Sequence, residues 1–352
     1  MGKREPDRVH FAELLVDIEV ISFVAEKLKM NLKFSPNIAQ PAITSSQLTE
    51  EEGIHMKSII SYYYHMNYDC VYVRLPLAPI AYKTRSTDDT AVLSRGKREW
   101  TEEKEGIITS WEAFERFPWK RLELDVSGFF SFLGKNLPKG MKVTVGLALY
   151  EMVGEWYMGW EGMFRTLYRD PALVKAIIDR MGEITYRGYK EAVSHDCVGA
   201  IFHPDDLGYK KGLMVKPEVL REMVFPWFKK YASLAHEHGK MYWYHCCGNV
   251  SQVMEDLIED VKIDAFHSFQ DVIMPVWEFK KKYGDRIAVL GGVDVDKLAR
   301  YDEDSLKKYV KEVLDKCMPD GRYALGSGNT VANYVPPQNY LTMLQEGLEW
   351  KP

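Results

Sequence analysis

The sequence predicts an α/β fold, a (β/α)8 barrel, because short apolar runs alternate with amphipathic helical segments along most of the chain. The runs are continuous rather than alternating, which is typical of parallel strands buried on both faces. No Gly-x-Gly-x-x-Gly motif follows an early strand, and this disfavours an open nucleotide-binding sheet. Seven runs are clear and an eighth strand is expected at 32–34; the seven are 70–75, 143–149, 198–202, 241–244, 263–266, 287–290 and 323–325.

Helix signals lie between these runs. Pro217 suits a first helical turn, Pro226 is expected to kink the same helix, and Gly239 closes it before the next strand. The stretch 81–120 is different, since it is charged and contains a turn-like segment. We interpret it as an insertion over one end of the barrel, within a single domain of residues 1–352.

Composition excludes several classes of protein. The net charge of the 352-residue chain is −5, which gives no reason to expect binding to nucleic acid or to an anionic membrane. No apolar run approaches the roughly 18 residues of a membrane span, and the charged N-terminus lacks the apolar core of a signal peptide. Five cysteines, two of them adjacent, disfavour a disulfide framework. We therefore expect a cytoplasmic protein.

Reactive side chains recur directly after the predicted strands. In barrels of this kind the functional residues lie at the C-terminal ends of the strands. A structural barrel would carry mainly turn-forming residues there, so the pattern predicts an enzyme. The set comprises Tyr150, Glu151, His203, Asp205, Asp206, His245, Cys247, His267, Gln270, Asp294, Ser327 and Asn329.

The segment 244–249, Tyr-His-Cys-Cys-Gly-Asn, is the sharpest local feature. Residues two apart on an extended chain point the same way, so His245 and Cys247 are expected to converge at the barrel mouth while Cys246 faces away. One imidazole and one thiolate suit zinc, although a catalytic zinc usually takes three protein ligands. The alternative is a buried histidine beside two packed cysteines.

Four residues are candidates for catalysis. Glu151 suits a metal ligand or a general base, but a charge at a helix N-terminus looks the same in the sequence. Asp205 and Asp206 form either a carboxylate pair with one raised pKa or a helix cap, and His203 is the fourth candidate. Asp294 either orients a substrate or caps a helix. Further substrate contacts are expected from Tyr150, His267, Gln270, Ser327 and Asn329.

Three elements together resemble the uroporphyrinogen decarboxylase superfamily. They are His245-x-Cys247-Gly248, the Gly-Gly-Val-Asp at 291–294 and the Val-Pro-Pro-Gln-Asn at 335–339. The similarity covers most of the chain and is closer to the corrinoid-linked, methylcobalamin:coenzyme M methyltransferase-like branch than to the decarboxylase. It implies a (β/α)8 barrel. The Arg-Gln-Ala-Gly-Arg-type stretch and the Ser-Asp-Ile element of the decarboxylase are absent, which disfavours porphyrinogen decarboxylation.

The resemblance also implies a ligand set. The methyltransferase branch binds zinc through the His and Cys of His-x-Cys-Gly and through a second Cys in a Gly-Cys-Gly element, where this chain has Ser327. His245 and Cys247 carry over, with Glu151 as the first choice for a third ligand and Asp206 as the second. Zinc would then activate a thiol acceptor, or bind the heteroatom of a methylated substrate as a Lewis acid, which an oxygen-containing ligand set favours.

The function implied is a zinc-dependent methyltransferase that uses a corrinoid such as methylcobalamin, free or on a partner protein, with a small-molecule methyl donor or acceptor. Two alternatives stay open. One is a metal-free decarboxylase or lyase for a carboxylated, tetrapyrrole-like substrate, and the other is a corrinoid or tetrapyrrole binder without catalysis. The decarboxylase branch suggests a homodimer, and the sequence does not decide this.

Overall fold

The central sheet is built from parallel strands at the predicted apolar runs. The computed structural model describes residues 6–35, 48–78 and 84–351. Its strands are β1 (Cys70–Arg74), β2 (Thr84–Asp88), β3 (Lys97–Thr101), β4 (Lys142–Gly146), β5 (Val198–Pro204), β6 (Gly208–Tyr209), β7 (Gly212–Leu213), β8 (Met241–His245), β9 (Ala265–His267), β10 (Ala288–Leu290) and β11 (Tyr323–Ala324). Seven of them pair in parallel in the order β1-β4-β5-β8-β9-β10-β11.

Helices connect these strands, as the alternating pattern predicts. They are α1 (Ile18–Lys27), α2 (Glu50–His65), α3 (Trp111–Arg116), α4 (Ser127–Asn136), α5 (Tyr150–Met152), α6 (Trp160–Arg169), α7 (Pro171–Val193), α8 (Pro217–Val219), α9 (Phe225–Glu237), α10 (Val276–Tyr283), α11 (Val295–Arg300), α12 (Glu303–Cys317) and α13 (Pro337–Glu349). None of the described helices is long and apolar enough to cross a membrane.

Wider or tighter helical turns also form, at Trp119–Leu122, Val153–Met158, Leu220–Val224 and Asp256–Val261. The turn at Leu220–Val224 separates α8 from α9 directly before Pro226, where a break is expected because proline has no N–H to donate. Gly239, with a φ of +66°, ends this helical stretch before β8.

The prediction of an eighth strand at 32–34 is wrong, because no strand forms in the described residues 31–35. The segment around Phe11 takes that place and makes an isolated parallel bridge with Leu325. The Ala12 N–H donates to the Leu325 carbonyl at 2.9 Å, and the Leu325 N–H donates to the His10 carbonyl at 2.8 Å. This segment lacks a continuous apolar run, since polar residues interrupt it.

Small and apolar side chains fill the interior of the curled sheet. The cluster contains Ala12, Leu14, Ala200, Phe202, Trp243, Ala265, Ala288, Leu290 and Ala324, with Tyr72 of β1 packed against it. It thus unites the N-terminal segment with strands from both edges of the sheet. The interior is a packed core, which leaves the strand ends as the place for a site.

The predicted insertion contains the antiparallel hairpin β2–β3, whose strands are mostly exposed; residues 81–83 lie outside the described part. Its turn docks beside the chain that follows β11. The Asn333 amide donates to Asp89 and to the Leu93 carbonyl, and Arg95 forms an ion pair with Asp17 at 2.7 Å. The hairpin is thereby fixed near the carboxyl end of the barrel.

Gly326 tests the placement of the eighth segment. A Cβ at this position would lie 1.9 Å from the Ala12 carbonyl oxygen, whereas a Cβ at Gly53 of α2 meets its nearest atom at 3.5 Å. We expect Gly326→Ala to lower the free energy of unfolding by about 3 kcal/mol. Gly53→Ala, the matched control, should change it by no more than about 1 kcal/mol. Urea unfolding measures both, and equal stabilities would contradict the docking of this segment.

Candidate metal centre

Three side chains that suit a metal converge at the carboxyl ends of β5 and β8. Ligand atoms of Asp206, His245 and Cys247 lie within 4.8 Å of one another. The Cys247 Sγ is 3.5 Å from the His245 Nε2, and this Nε2 is 3.9 Å from an Asp206 carboxylate oxygen. A tetrahedral zinc separates its ligand atoms by about 3.3–3.8 Å, given its usual bond lengths. The separation of the His245 and Cys247 atoms lies in this range and that of the His245 and Asp206 atoms lies just above it, so the three residues form a candidate metal site.

The main chain explains this convergence. β5 and β8 pair in parallel with Pro204 opposite His245, so the residues that follow each strand meet at one edge. The Cys247 N–H donates to the Asp206 carboxylate at 2.7 Å, and the Asn329 amide donates to the Cys247 sulfur at 3.1 Å. Both bonds orient the two ligands. As the sequence predicts, the His245 and Cys247 side chains converge.

Two hydrogen bonds in series fix the orientation of the His245 ring. His267 lies opposite His245 in the β8–β9 register, and the two Nδ1 atoms are 2.6 Å apart. The His267 Nε2 is 3.1 Å from the Ser327 carbonyl, which only accepts, so this nitrogen carries the proton. The His267 Nδ1 then accepts from the His245 Nδ1–H. The His245 Nε2 keeps its lone pair and faces Asp206 and Cys247.

Burial keeps both rings neutral. It lowers the pKa of His245 to about 3, and it lowers the pKa of His267 well below the usual range, with the neighbouring His245 adding to the effect. A neutral imidazole with one fixed proton is the form that binds a metal. His267 thus contacts the candidate ligand His245 on the side of the ring away from Asp206 and Cys247. A direct substrate contact by the His267 side chain stays a prediction.

Ser327 faces away from this ring pair toward Glu13, which the sequence did not single out. The Glu13 carboxyl accepts from the Ser327 N–H at 2.7 Å and lies 2.5 Å from the Ser327 hydroxyl. Burial raises the pKa of Glu13 to about 8, against the lowering effect of the bonds to Ser327. The protonated carboxyl can donate to the hydroxyl, which donates in turn to the Asn329 carbonyl at 2.8 Å.

Asp205 and His203 are completely buried behind the cavity. The Asp205 carboxylate accepts the N–H groups of Leu149, Tyr150 and Glu151 at 2.7–3.1 Å, so it caps the start of α5. The His203 ring is 3.3 Å from the same carboxylate. These contacts make both residues positioning groups for the Glu151 loop, and a catalytic role for either stays a prediction that no contact here supports.

Glu151 faces the same cavity as the three ligand residues but lies outside their group. The group therefore contains Asp206, the second choice from the sequence for a third ligand, rather than Glu151. Burial, followed by repulsion from Asp206 and Asp205, raises the pKa of Glu151 to about 9. Burial also raises the pKa of Asp206. Glu151 is thus a carboxyl group that holds its proton beside the ligands.

Three other predicted residues, Asp294, Gln270 and Tyr150, do not line the cavity that Asp206, His245 and Cys247 line. The Asp294 carboxylate accepts from Asp296 and Lys297 N–H groups and caps α11, which is the alternative the sequence left open. Gln270 lines a separate, small apolar cavity beside Asn249. Tyr150 is buried, and its hydroxyl has no hydrogen-bond partner among the described residues. For these three side chains a substrate contact stays a prediction.

The ligand residues lie in the wall of a cavity of about 230 Å³. Sequence reasoning missed several residues of this wall. Arg74 ends β1, so the rule that selected the other strand ends would have found it, and its guanidinium is 5.9 Å from the centroid of the Trp156 ring. Glu155 lies one helical turn after Glu151. The lining is Leu14, Leu15, Tyr72, Arg74, Leu147, Ala148, Glu151, Met152, Glu155, Trp156, Pro204, Asp206, His245, Cys247, Asn329 and Thr330.

Removing the Asp205 carboxylate tests its capping role. Asp205→Ala leaves three backbone donors unpaired, and we expect a loss of at least about 3 kcal/mol in the free energy of unfolding. Asp302→Ala removes the cap of α12 at an exposed position and should lose about 1 kcal/mol. Chemical denaturation compares the two variants. Equal losses of unfolding free energy in the two variants would contradict a larger contribution from the buried Asp205 cap.

Glu13 should make stability depend on pH. Its pKa is raised from 4.5 to about 8 on folding, so the folded chain binds more protons than the unfolded chain between these values. The stability that neutral Glu13 contributes is full below pH 4.5 and is lost as the pH rises through about 8. We expect Glu13→Gln to gain stability relative to wild type from pH 5 to about 8 in urea unfolding. Glu222→Gln, at an exposed position, is the control.

Comparisons with known proteins agree with the family resemblance found in the sequence. The profile of the family "Uroporphyrinogen decarboxylase (URO-D)" matches residues 143–350. A comparison with curated proteins gives no match. Among solved structures, a methyltransferase from Methanosarcina mazei is similar, with 16% identity, a TM-score of 0.66 and coverage of 98% of this chain and 95% of that one.

Two further solved structures have a lower sequence identity and a lower TM-score. A B12-independent methionine synthase from Shewanella sp. W3-18-1 has 11% identity and a TM-score of 0.44, with coverage of 63% of this chain and 65% of that one. D-Psicose 3-epimerase from Clostridium cellulolyticum H10 has 10% identity, a TM-score of 0.44 and coverage of 83% and 90%. The Methanosarcina structure supports the barrel fold, and the profile match spans more than half of the chain. The chain therefore belongs to the uroporphyrinogen decarboxylase family.

Proposed function

We propose that this protein is a zinc-dependent methyltransferase that acts with a corrinoid cofactor or a corrinoid protein. The observation that carries the proposal is the convergence of one imidazole, one thiol and one carboxylate at a single cavity wall. Three protein ligands and one open position are typical of catalytic zinc. The resemblance to corrinoid-linked methyltransferases and the similar fold of the Methanosarcina methyltransferase support the choice of reaction.

His245, Cys247 and Asp206 would hold the ion. When bound, zinc would supply Lewis acidity to the heteroatom that carries the methyl group, and the corrinoid would supply the cobalt that takes the methyl group. The chain itself presents the free Nε2 of His245, orients the Cys247 sulfur through the Asn329 amide, and orients Asp206 through the Cys247 N–H. These bonds set the ligand geometry before an ion arrives.

The cavity favours a small substrate. Its volume is about 230 Å³, and Tyr72, Trp156 and Met152 provide apolar wall beside the ligands. Arg74 is the single arginine or lysine in the described lining. A substrate with several carboxylates would lack partners here, which disfavours decarboxylation of a carboxylated tetrapyrrole. Glu151, beside Asp206, is the group that we assign to move a proton to or from the leaving heteroatom.

Zinc content tests the proposal. We expect elemental analysis of the purified protein to give one zinc per chain, and Cys247→Ser and Asp206→Ala to weaken zinc binding more than about 100-fold, beyond the effect of outer-layer changes. Glu151→Gln should retain the ion if Asp206 is the third ligand. Cys197→Ser is the matched control, because Cys197 is half-buried and distant, and a serine hydroxyl can keep the bond to the Phe130 carbonyl.

Methyl transfer completes the test. Cob(I)alamin and a panel of methylated ethers, thioethers and amines are mixed with each variant, and the visible spectrum follows methylcobalamin. We expect Cys247→Ser to abolish the spectral change and Cys197→Ser to keep it. A protein without stoichiometric zinc, in which Cys247→Ser leaves methyl transfer intact, would refute the proposal. Corrinoid binding with no spectral change for any donor would favour a binder without catalysis.

A further inference from the structure

We propose that Glu13 is a positioning residue for the metal centre: through Ser327 and His267 it fixes the His245 ring so that Nε2 faces Asp206 and Cys247. This inference rests on the proposed zinc site. Glu13 lies in the N-terminal segment, far from the ligands in the sequence, and it contacts none of them directly. Its effect would pass along a chain of hydrogen bonds between completely or almost completely buried groups.

The chain begins with two bonds between Glu13 and Ser327. One carboxyl oxygen accepts from the Ser327 N–H at 2.7 Å, and the other lies 2.5 Å from the hydroxyl. Glu13 is 5% exposed and Ser327 is not exposed at all, so water does not compete for these bonds. Together they set both the main chain and the side chain of Ser327 after β11.

The main chain of Ser327 carries the effect to the rings. Its carbonyl accepts from the His267 Nε2–H at 3.1 Å, which fixes the tautomer of His267. The His267 Nδ1, 2.6 Å from the His245 Nδ1, then accepts the proton of the ligand ring. A shift of the Ser327 carbonyl would free His267 to turn or to exchange tautomers. The His245 Nε2 would then carry a proton in part of the molecules.

The same contacts explain why Ser327 is not placed as a ligand. Its hydroxyl lies between Glu13 and the Asn329 carbonyl, at 2.5 and 2.8 Å. Asn329 in turn donates to the Cys247 sulfur at 3.1 Å. Glu13 therefore reaches two of the three proposed ligands, His245 through the ring pair and Cys247 through Asn329. Partners one step outside the ligands typically change metal affinity by about 10–100-fold.

Four variants separate this role from simple packing. Glu13→Leu removes both bonds, whereas the amide of Glu13→Gln can still donate to the hydroxyl and accept from the N–H. Ser327→Ala removes the hydroxyl alone. Asn339→Ala is the control, because it deletes a buried amide that bonds the Leu298 and Tyr301 carbonyls away from the site.

Two readouts follow the metal centre rather than stability. Zinc affinity is measured by competition with a chelator, together with the visible spectrum of the Co²⁺-loaded protein. We expect Glu13→Leu to weaken zinc binding by about 10–100-fold and to alter the Co²⁺ spectrum, and Ser327→Ala to weaken binding by about 10-fold. Glu13→Gln and Asn339→Ala should stay within about 3-fold of wild type.

The second readout uses the metal-free protein. Imidazole ¹⁵N shifts report which ring nitrogen is protonated, and we expect protonated Nδ1 in His245 and protonated Nε2 in His267 for wild type and Glu13→Gln. Mixed tautomers are expected in Glu13→Leu. If that variant does not fold, Ser327→Ala carries the test through its zinc affinity.

The outcomes are distinct. A folded Glu13→Leu, or Ser327→Ala, with wild-type zinc affinity and wild-type tautomers would overturn the inference and leave the proposed function standing. A loss of affinity in Asn339→Ala as large as in Glu13→Leu would also overturn it, because the effect would then follow stability. A wild-type protein that binds no zinc would overturn the proposed function and this inference together.

Discussion

The arrangement of the site depends on one neutral imidazole whose two nitrogens have different tasks. His245 is 4% exposed at the end of β8, and a neutral ring has one donor and one acceptor. The β8–β9 register places His267 where it takes the donor, so the acceptor is left for the cavity. Strand pairing therefore decides the chemistry of the ligand, and any change in register would remove it.

The carboxyl groups that line the cavity lie in surroundings that disfavour their charged form. Burial raises the pKa of Glu151, Glu155 and Asp206, and repulsion from neighbouring carboxyl groups, which include Asp205, adds to the effect. Arg74 opposes this repulsion at Glu155. Protonation relieves the cost of burying these charges, and under the proposed function a bound divalent cation would offset the charge of Asp206 instead. Under the proposed function, the thiol and the free imidazole nitrogen beside these carboxyl groups suit zinc-like ions.

The sequence was sufficient for the sheet and for the main candidates, because continuous apolar runs fix where parallel strands end. Asp206, His245, Cys247 and Asn329 follow from that rule alone. The rule does not give the direction of a side chain. A carboxylate that follows a strand has the same sequence pattern whether it caps a helix, as Asp294 does, or faces the cavity. No sequence pattern singles out Glu13, because it lies 314 residues from Ser327 in a segment that is held by isolated bridges.

Under the proposed function, Ser327 would mark a change in the ligand set of the barrel without a change in its fold. In the branch that the sequence resembles, this position carries a cysteine ligand, whereas here the hydroxyl is bound between Glu13 and the Asn329 carbonyl. Because all strand ends meet at one mouth, Asp206 after β5 can supply the third ligand in its place. An oxygen in exchange for a sulfur makes the ligand set harder, and hard sites prefer oxygen or nitrogen partners. Under the proposed function, this exchange favours a methylated oxygen or nitrogen over a thioether as the substrate group.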